Sequence, residues 1–210
     1  NVVSDVIIVK DGDGQIYWPL VGLNQIGNLS IGEGYQIKMA FARTLTINGA
    51  AVSPELITLV LPENWSILGY LRNTPAPIIT ILSPIVANID IVKNDQGSVY
   101  WPFVGLDQIL TMTPGKGYQI NMNSSGLLTY PSNAIVYPES PNKYSQISYV
   151  SSINTGSNMT IGIPLNSWDN RPQFGDIVIV KNSLGDIVGS MVFNDENIAI
   201  AVWGDDELTL

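Results

Sequence analysis

One stretch of sequence occurs twice in this chain with its internal spacing unchanged. Tyr17-Trp18-Pro19 is followed by Gly32-Glu33-Gly34-Tyr35, and the same text returns as Tyr100-Trp101-Pro102 followed by Gly115-Lys116-Gly117-Tyr118. The offset is 83 residues, as from Tyr17 to Tyr100. Because a fixed period of this kind signals a recurring folding unit, the sequence predicts related units in tandem.

Each copy opens with a run of β-branched residues that stops at a turn. In the first copy Asp5 to Lys10 read Asp-Val-Ile-Ile-Val-Lys, Asp11-Gly12-Asp13-Gly14 follow, and residues 15–18 resume the apolar pattern before Pro19. Gly and Asp accept the positive φ angles of tight hairpin turns, and Pro lacks the N–H that would extend a strand ladder. We therefore expect a β-hairpin, and the Lys-to-Gly spacing predicts others at 93–97 and 181–185.

Alternation of apolar and polar residues predicts further strands. Tyr35, Ile37 and Met39 are separated by polar residues, so we expect all three to face one core; the second copy repeats the pattern. The best helix candidate lies between Pro75 and Asn88, where β-branched residues and a proline limit it to a turn or two.

These patterns predict an all-β fold with minor helix, built as small sandwich-like or barrel-like repeats plus a third β unit. The expected divisions are 1–55 for the first repeat, 56–137 for the second and 138–210 for the third unit, which is entered through a segment rich in Ser, Asn and Pro. The first repeat lacks at its front the Trp65 strand that precedes the second hairpin, and the third unit has an unfinished end. A longer parent chain and exchange of strands between subunits both explain these ends.

Composition narrows the classes of function. The net charge of −9 and pI near 4.2 oppose binding to nucleic acid or to an anionic membrane surface, because both require clustered Lys and Arg. No run reaches the ~18 apolar residues of a membrane helix, so we expect no membrane insertion. Cys and His are absent from the sequence, which removes a cysteine nucleophile, the usual general base and the commonest transition-metal ligands. Carboxylates are almost the only acid/base groups left, and an enzyme of carboxylate type is the third interpretation after the structural and glycan-binding ones. We expect no enzyme activity and no cofactor.

Three tryptophans are the candidate ligand-binding residues: Trp18, Trp101 and Trp168. Trp18 and Trp101 each follow a tyrosine on a predicted strand, so the two rings of each pair point to opposite faces. One ring then enters the core, and the other either stacks on a sugar or covers a neighbouring strand. Packing is favoured because aromatic rings dominate small cores.

Two acidic stretches suggest calcium, the one cofactor considered. Asp11-Gly12-Asp13-Gly14 resembles the start of a calcium loop but lacks the later ligands, and a hairpin turn explains it better. Asp205, Asp206 and Glu207 form a denser group and are the weak alternative metal site, against a solvated loop at the chain terminus.

The chain resembles the repeated β modules of large secreted surface proteins of Bacteroidetes-type bacteria. Residues 64–70, Asn-Trp-Ser-Ile-Leu-Gly-Tyr, resemble the Gly-Trp-Asn-Leu-Ile-Gly opening strand of such modules, and residues 114–118 resemble their Pro-Gly-x-Gly-Tyr turn. The third unit is similar to a module found beside them, with its Trp-Gly-Asp-Asp at 203–206. The resemblance implies an extracellular or cell-surface location and supplies no catalytic residues.

We therefore expect a structural or adhesive module of an extracellular protein. Its expected partners are other copies of itself or neighbouring domains of a longer chain, and strand exchange at an exposed edge would build an oligomer or fibre. The alternative is a glycan-binding module that uses exposed aromatic side chains.

Overall fold

The computed structural model describes residues 2–46, 49–138 and 154–204. The protein is all-β, with 39% strand and 12% helix, which confirms the predicted fold class. The strands are β1 (Val6–Lys10), β2 (Ile16–Trp18), β3 (Leu23–Asn24), β4 (Gln36–Met39), β5 (Thr58–Leu61), β6 (Asn64–Gly69), β7 (Ala76–Pro77), β8 (Ile89–Lys93), β9 (Val99–Trp101), β10 (Leu106–Asp107), β11 (Thr111–Met112), β12 (Gly117–Met122), β13 (Gly126–Thr129), β14 (Asn158–Ile163), β15 (Ile177–Lys181), β16 (Ile187–Val192) and β17 (Ile198–Trp203).

The helical elements of the described residues are short. They are α1 (Ile78–Ile81) and the 3₁₀ turns Val3–Asp5, Pro19–Val21, Pro54–Leu56, Ser83–Asn88 and Pro102–Val104. The α-helix and the longest 3₁₀ turn lie between Pro75 and Asn88, where the sequence predicted a helix of a turn or two. Pro84 cannot donate an amide hydrogen bond, which restricts this segment to tight, short turns.

The chain divides into two compact units. The first comprises Asn1–Val92 and Leu110–Ser140, and the second comprises Lys93–Ile109 and Pro141–Leu210. This division groups segments by packing, whereas the boundaries expected at 55 and 137 follow the sequence repeat; those boundaries remain predictions.

The first unit contains an antiparallel sheet in the order β3-β2-β1-β4. Val9 of β1 lies opposite Tyr17 on one side and Ile37 on the other. In the same unit β8, β12 and β6 lie side by side in that order, and β12 pairs with β6 from Gly117↔Gly69 to Met122↔Asn64. Two smaller ladders, β5 with β13 and β7 with β11, complete the unit.

Glycines of the repeated motif allow backbones to approach closely in the first unit. The amide of Gly34 donates to the Ile67 carbonyl (2.8 Å), and the amide of Gly69 donates to the Gly32 carbonyl (2.8 Å). A Cβ on Gly34 would lie 3.3 Å from the Cα of Gly117, and one on Gly69 would lie 2.6 Å from the Glu33 carbonyl oxygen. Side chains at these positions would separate the strands, so glycine is required for the close approach.

The core of the first unit lies mainly between residues of the second repeat and the helical segment. Tyr70 and Tyr130 meet edge to face with ring centroids 5.5 Å apart, a favourable arrangement of aromatic quadrupoles. The residues of this core with less than 2% exposure include Leu68, Ile78, Ile81, Leu82, Met112, Ile120, Met122, Leu128 and Tyr130.

The second unit combines the strand pair β9 and β10 with four strands of the third β unit. β14 pairs with β17 along their length, and β15 pairs with β16. Phe193, Ile198 and Ile200 form the centre of its core. Half-buried apolar side chains from all four of these strands and the adjoining loops surround that centre: Ile163, Leu165, Trp168, Val178, Val180, Met191 and Val202.

Within the described ranges, the helices are all too short or too polar to cross a lipid bilayer.

Candidate functional site

The turn of the first hairpin is held by the side chain of Asp11. Oδ1 of Asp11 accepts the amide hydrogens of Asp13 (3.0 Å) and Gln15 (2.8 Å). Asn94 and Asn182 occupy the same position in the other two hairpins and accept two amide hydrogens each in the same way. Because a neutral amide oxygen performs this role as well as a carboxylate, turn chemistry accounts for Asp11.

The first-repeat sheet ends at an edge that its sequence counterpart does not have. β4 is the last strand of the order β3-β2-β1-β4, and in residues 2–46, 49–138 and 154–204 β1 is the one strand that pairs with Gln36–Met39. The residues just before β4 are bridged to β6 at Glu33↔Leu68. The matching strand of the second repeat, β12, lies between β8 and β6. An edge of this kind can accept a strand from another chain.

Side-chain exposure differs between these two matching strands. Tyr118, Ile120 and Met122 of β12 are buried, as alternation predicted, but in the first repeat Tyr35 and Met39 are only half-buried. Ile37 is 49% exposed, whereas Ile120 is 0% exposed. The prediction that Ile37 faces a core is therefore wrong; Ile37 lies on the edge strand β4, whereas Ile120 lies on the central strand β12.

The three predicted tryptophans lie on different elements of the fold. Trp18 and Trp101 are half-buried at the ends of β2 and β9, and Tyr100 beside Trp101 is buried. A Cβ on Gly162 of β14 would lie 2.6 Å from the ring of Trp101, so this ring packs closely against the glycine. Trp168 contacts Phe193 edge to face at 6.0 Å in the core of the third unit. Their role in glycan binding stays a prediction.

The weak metal site, Asp205, Asp206 and Glu207, lies outside the described residues. Among the residues that are described, no three Asp or Glu side chains are grouped in a way that could hold a metal ion.

A buried arginine is a feature that no sequence pattern indicated. Arg72 is 2% exposed. Its Nη1 donates to the Ser132 carbonyl (2.8 Å), and its Nη2 donates to the Ile135 carbonyl (2.5 Å) and to Thr74 Oγ1 (2.9 Å). The guanidinium lies 5.0 Å from the centroid of the Tyr137 ring. Arg72 thus fixes the segment that follows β13, since several donors in a planar fork hold several carbonyl groups at once.

Lys93 at the end of β8 is the second buried cation. It is 8% exposed, and its Nζ donates to the Asn158 carbonyl (3.3 Å). Burial lowers the pKa of its ammonium group, because a low-dielectric surrounding disfavours the charged form. Lys10, the matching residue of the first repeat, is exposed. The repeated Ile-Val-Lys text is the signal that marks both positions.

Comparisons with protein-family models, with curated proteins and with solved structures find no match to this chain.

Proposed function

We propose that this chain is a structural and adhesive module of an extracellular or cell-surface protein, and that it joins other copies of itself by adding a β-strand at β4. The observation that carries the proposal is the edge of the first-repeat sheet, where β1 is the one strand that pairs with β4 in the described part of the chain. Exposed edges bind strands because their backbone groups are aligned for a ladder.

The second repeat indicates which strand would fit this edge. β12, which matches β4 in sequence, pairs with β6 over six residue pairs, from Gly117↔Gly69 to Met122↔Asn64. A strand with the alternation of β6 would cover Ile37 in the way that the second repeat covers Ile120. Covering a half-exposed isoleucine removes apolar surface from water, which adds to the energy of the new ladder.

Features of the sequence support a non-catalytic, extracellular role. The chain contains no Cys and no His, so a cysteine nucleophile and a histidine general base are missing. The resemblance to repeated modules of secreted bacterial surface proteins supports the proposed location. The negative net charge favours proteins over nucleic acids as partners.

The test is the mass of the chain in solution, measured by light scattering over a range of concentrations with and without added calcium. We expect species heavier than the 22.8 kDa chain at high concentration. A synthetic peptide with the sequence of residues 62–71, which contains β6, should bind the chain and suppress this growth, because it occupies the edge of β4.

A matched pair of variants distinguishes strand addition at the edge of β4 from non-specific association. Ile37→Lys places a charge on the edge, a common natural protection against strand addition, and should keep the chain monomeric. Leu56→Lys alters an exposed leucine in a 3₁₀ turn of the same unit and should associate like the unmodified chain. Monomers at every concentration, or equal association of both variants, would remove the basis for strand addition.

Glycan binding is the second candidate, and one observation favours it. Trp65 on β6 is 49% exposed, which leaves part of an indole face available to stack on a sugar ring. Screening the chain on a glycan array tests this function, with Trp65→Ala and Trp18→Ala as variants. Binding that is lost in either variant would support it, and binding that neither change affects would exclude these two side chains.

A further inference from the structure

The second hairpin, residues 93–109, is covered by the strands of the third β unit, residues 154–204. The ring of Trp101 lies against Gly162 of β14, where a Cβ would lie 2.6 Å from the ring. At the turn, a Cβ on Gly97 would lie 2.5 Å from the Cβ of Ala201 and 3.3 Å from the ring of Trp203. Both contacts depend on glycine, so the two surfaces fit closely.

Hydrogen bonds fix this packing in one register. Gln108 Nε2 donates to the Ala199 carbonyl (3.0 Å). Asn197 Nδ2 donates to the Val104 carbonyl (3.0 Å). Together with the bond from Lys93 to the Asn158 carbonyl, these contacts place donors and acceptors from both sides at defined positions, which gives an interface its specificity.

The first hairpin, residues 10–26, has the same local structure as the second. Gln25 Oε1 accepts the amide hydrogen of Ile16 (3.2 Å), as Gln108 Oε1 accepts that of Val99 (3.2 Å). Trp18 and Trp101 have nearly the same backbone angles, φ −125°, ψ 92° and φ −126°, ψ 87°. The first hairpin therefore presents the same types of group in the same arrangement.

The exposure of the two hairpins differs at matching positions, and within the second compact unit the strands of residues 154–204 cover the second hairpin. Leu23 is 37% exposed and its counterpart Leu106 is 3% exposed. Lys10 is exposed where Lys93 is buried. Directly after the Tyr-Trp-Pro text, Val21 is 59% exposed. The first hairpin thus leaves Lys10, Val21 and Leu23 exposed, while Gly12 in its turn packs against the backbone of Ser66 and Ile67.

We propose that the first hairpin is a docking surface for another β unit built like residues 154–204 and carried by a separate polypeptide segment. The bound unit would place a glycine against Trp18, backbone carbonyls at Gln25 Nε2 and Lys10 Nζ, and an amide side chain at the Val21 carbonyl. The internal repeat supports this choice of partner, because an equivalent surface in the same molecule already binds a unit of this chemistry. The surface involves β2, β3 and the two turns beside them, so it is independent of strand addition at β4.

Cross-linking in the full-length chain tests the proposal. The chain has no native Cys, so Val21→Cys and Glu196→Cys introduce the only thiols. Glu196 is exposed and adjoins Asn197, which contacts Val104, the counterpart of Val21. Gly97→Trp then frees the third unit from the second hairpin, because the new side chain collides with Ala201 and φ at this position is +79°.

With Gly97→Trp present, a short thiol-specific cross-linker should join residue 21 of one chain to residue 196 of another and give a cross-linked dimer. We expect about tenfold more of this product than when Leu56→Cys replaces Val21→Cys, because docking raises the effective concentration of the two thiols. The chain that keeps Gly97 should give little product, since its third unit is already bound. Adding Gly162→Trp, which closes the surface of the third unit, should return the yield to that of the Leu56→Cys control.

Equal cross-linking at residues 21 and 56 in the freed chain would overturn the proposal. So would products that join residue 21 to residue 21, because they would show two first hairpins packing on each other. If Gly97→Trp abolishes the β signal in circular dichroism, Trp101→Ala replaces it, since that change removes the ring from Gly162 without adding bulk. The same comparison of residues 21 and 56 then decides the outcome.

Discussion

Matching isoleucines of the two repeats provide a direct test of how burial controls stability in this fold. Ile120 on β12 is 0% exposed, and Ile37 at the same repeat position on β4 is 49% exposed. Both belong to the first compact unit. Replacing each by alanine removes the same atoms from a β-strand. A difference between the two losses of unfolding free energy therefore reports the surroundings of each isoleucine alone.

The expected costs follow from the burial of the removed atoms. Isoleucine to alanine deletes about three carbon groups, worth roughly 0.8 kcal/mol each when fully buried. Ile120→Ala loses this transfer energy of about 2.4 kcal/mol and also leaves a cavity, so we expect about 3 to 4 kcal/mol in total. Ile37→Ala loses about half of the transfer energy and leaves no closed cavity, so we expect about 1 kcal/mol.

Urea unfolding followed by circular dichroism measures both free energies. Low protein concentration prevents association from adding to the stability of Ile37. The dependence on urea should be the same in both variants, because neither changes the surface exposed on unfolding by much. Costs that agree to within about 0.5 kcal/mol would refute the reasoning, since that is the error expected for independent sites and the two isoleucines would then be buried alike.

Two further predictions concern the core of the first unit. Burial raises the pKa of Tyr70 to about 12 and raises that of Tyr130 well above its ordinary value. The stability that is complete below pH 10 should therefore be lost as the pH rises through the folded-state pKa values. For Tyr70 the loss of unfolding free energy is about 3 kcal/mol at most, and urea unfolding at a series of pH values across this range should show it. Tyr70→Phe should flatten the decline of stability with pH. An unchanged dependence of stability on pH in that variant would contradict the assignment. Arg72→Met should lower the free energy of unfolding by about 3 kcal/mol, because it leaves buried carbonyl groups without donors. Arg72→Lys should recover part of this loss. A change below about 1 kcal/mol in the methionine variant would show that these hydrogen bonds contribute little.

Turns and strands of this protein could be predicted from sequence because short-range interactions determine them. Asp11 and Asn94 accept hydrogen bonds from amides two and four residues ahead, and Gly14 and Gly97 have φ of +82° and +79°. Each feature depends on residues a few positions apart. The Asp/Asn and Gly types at that spacing are therefore sufficient to indicate a hairpin.

Residue types alone could not predict which aromatic side chains are available for binding. The sequence marks Trp168 and Trp18 alike as candidate ligand-binding tryptophans, yet Trp168 packs against Phe193 in the core of the third unit. Arg72 gave no signal, because an isolated arginine is most often exposed. Its burial depends on carbonyl groups of Ser132 and Ile135, about sixty positions later in the chain.

The sequence by itself determined the all-β class, the hairpins and the nearly identical backbone of the two Tyr-Trp-Pro segments. Only the tertiary structure decided that Ile120 and Lys93 are buried while Ile37 and Lys10 remain exposed. The physical reason is that backbone conformation depends on neighbours along the chain, whereas burial depends on which distant segments pack against a surface. Two copies of one local structure can therefore have different surroundings.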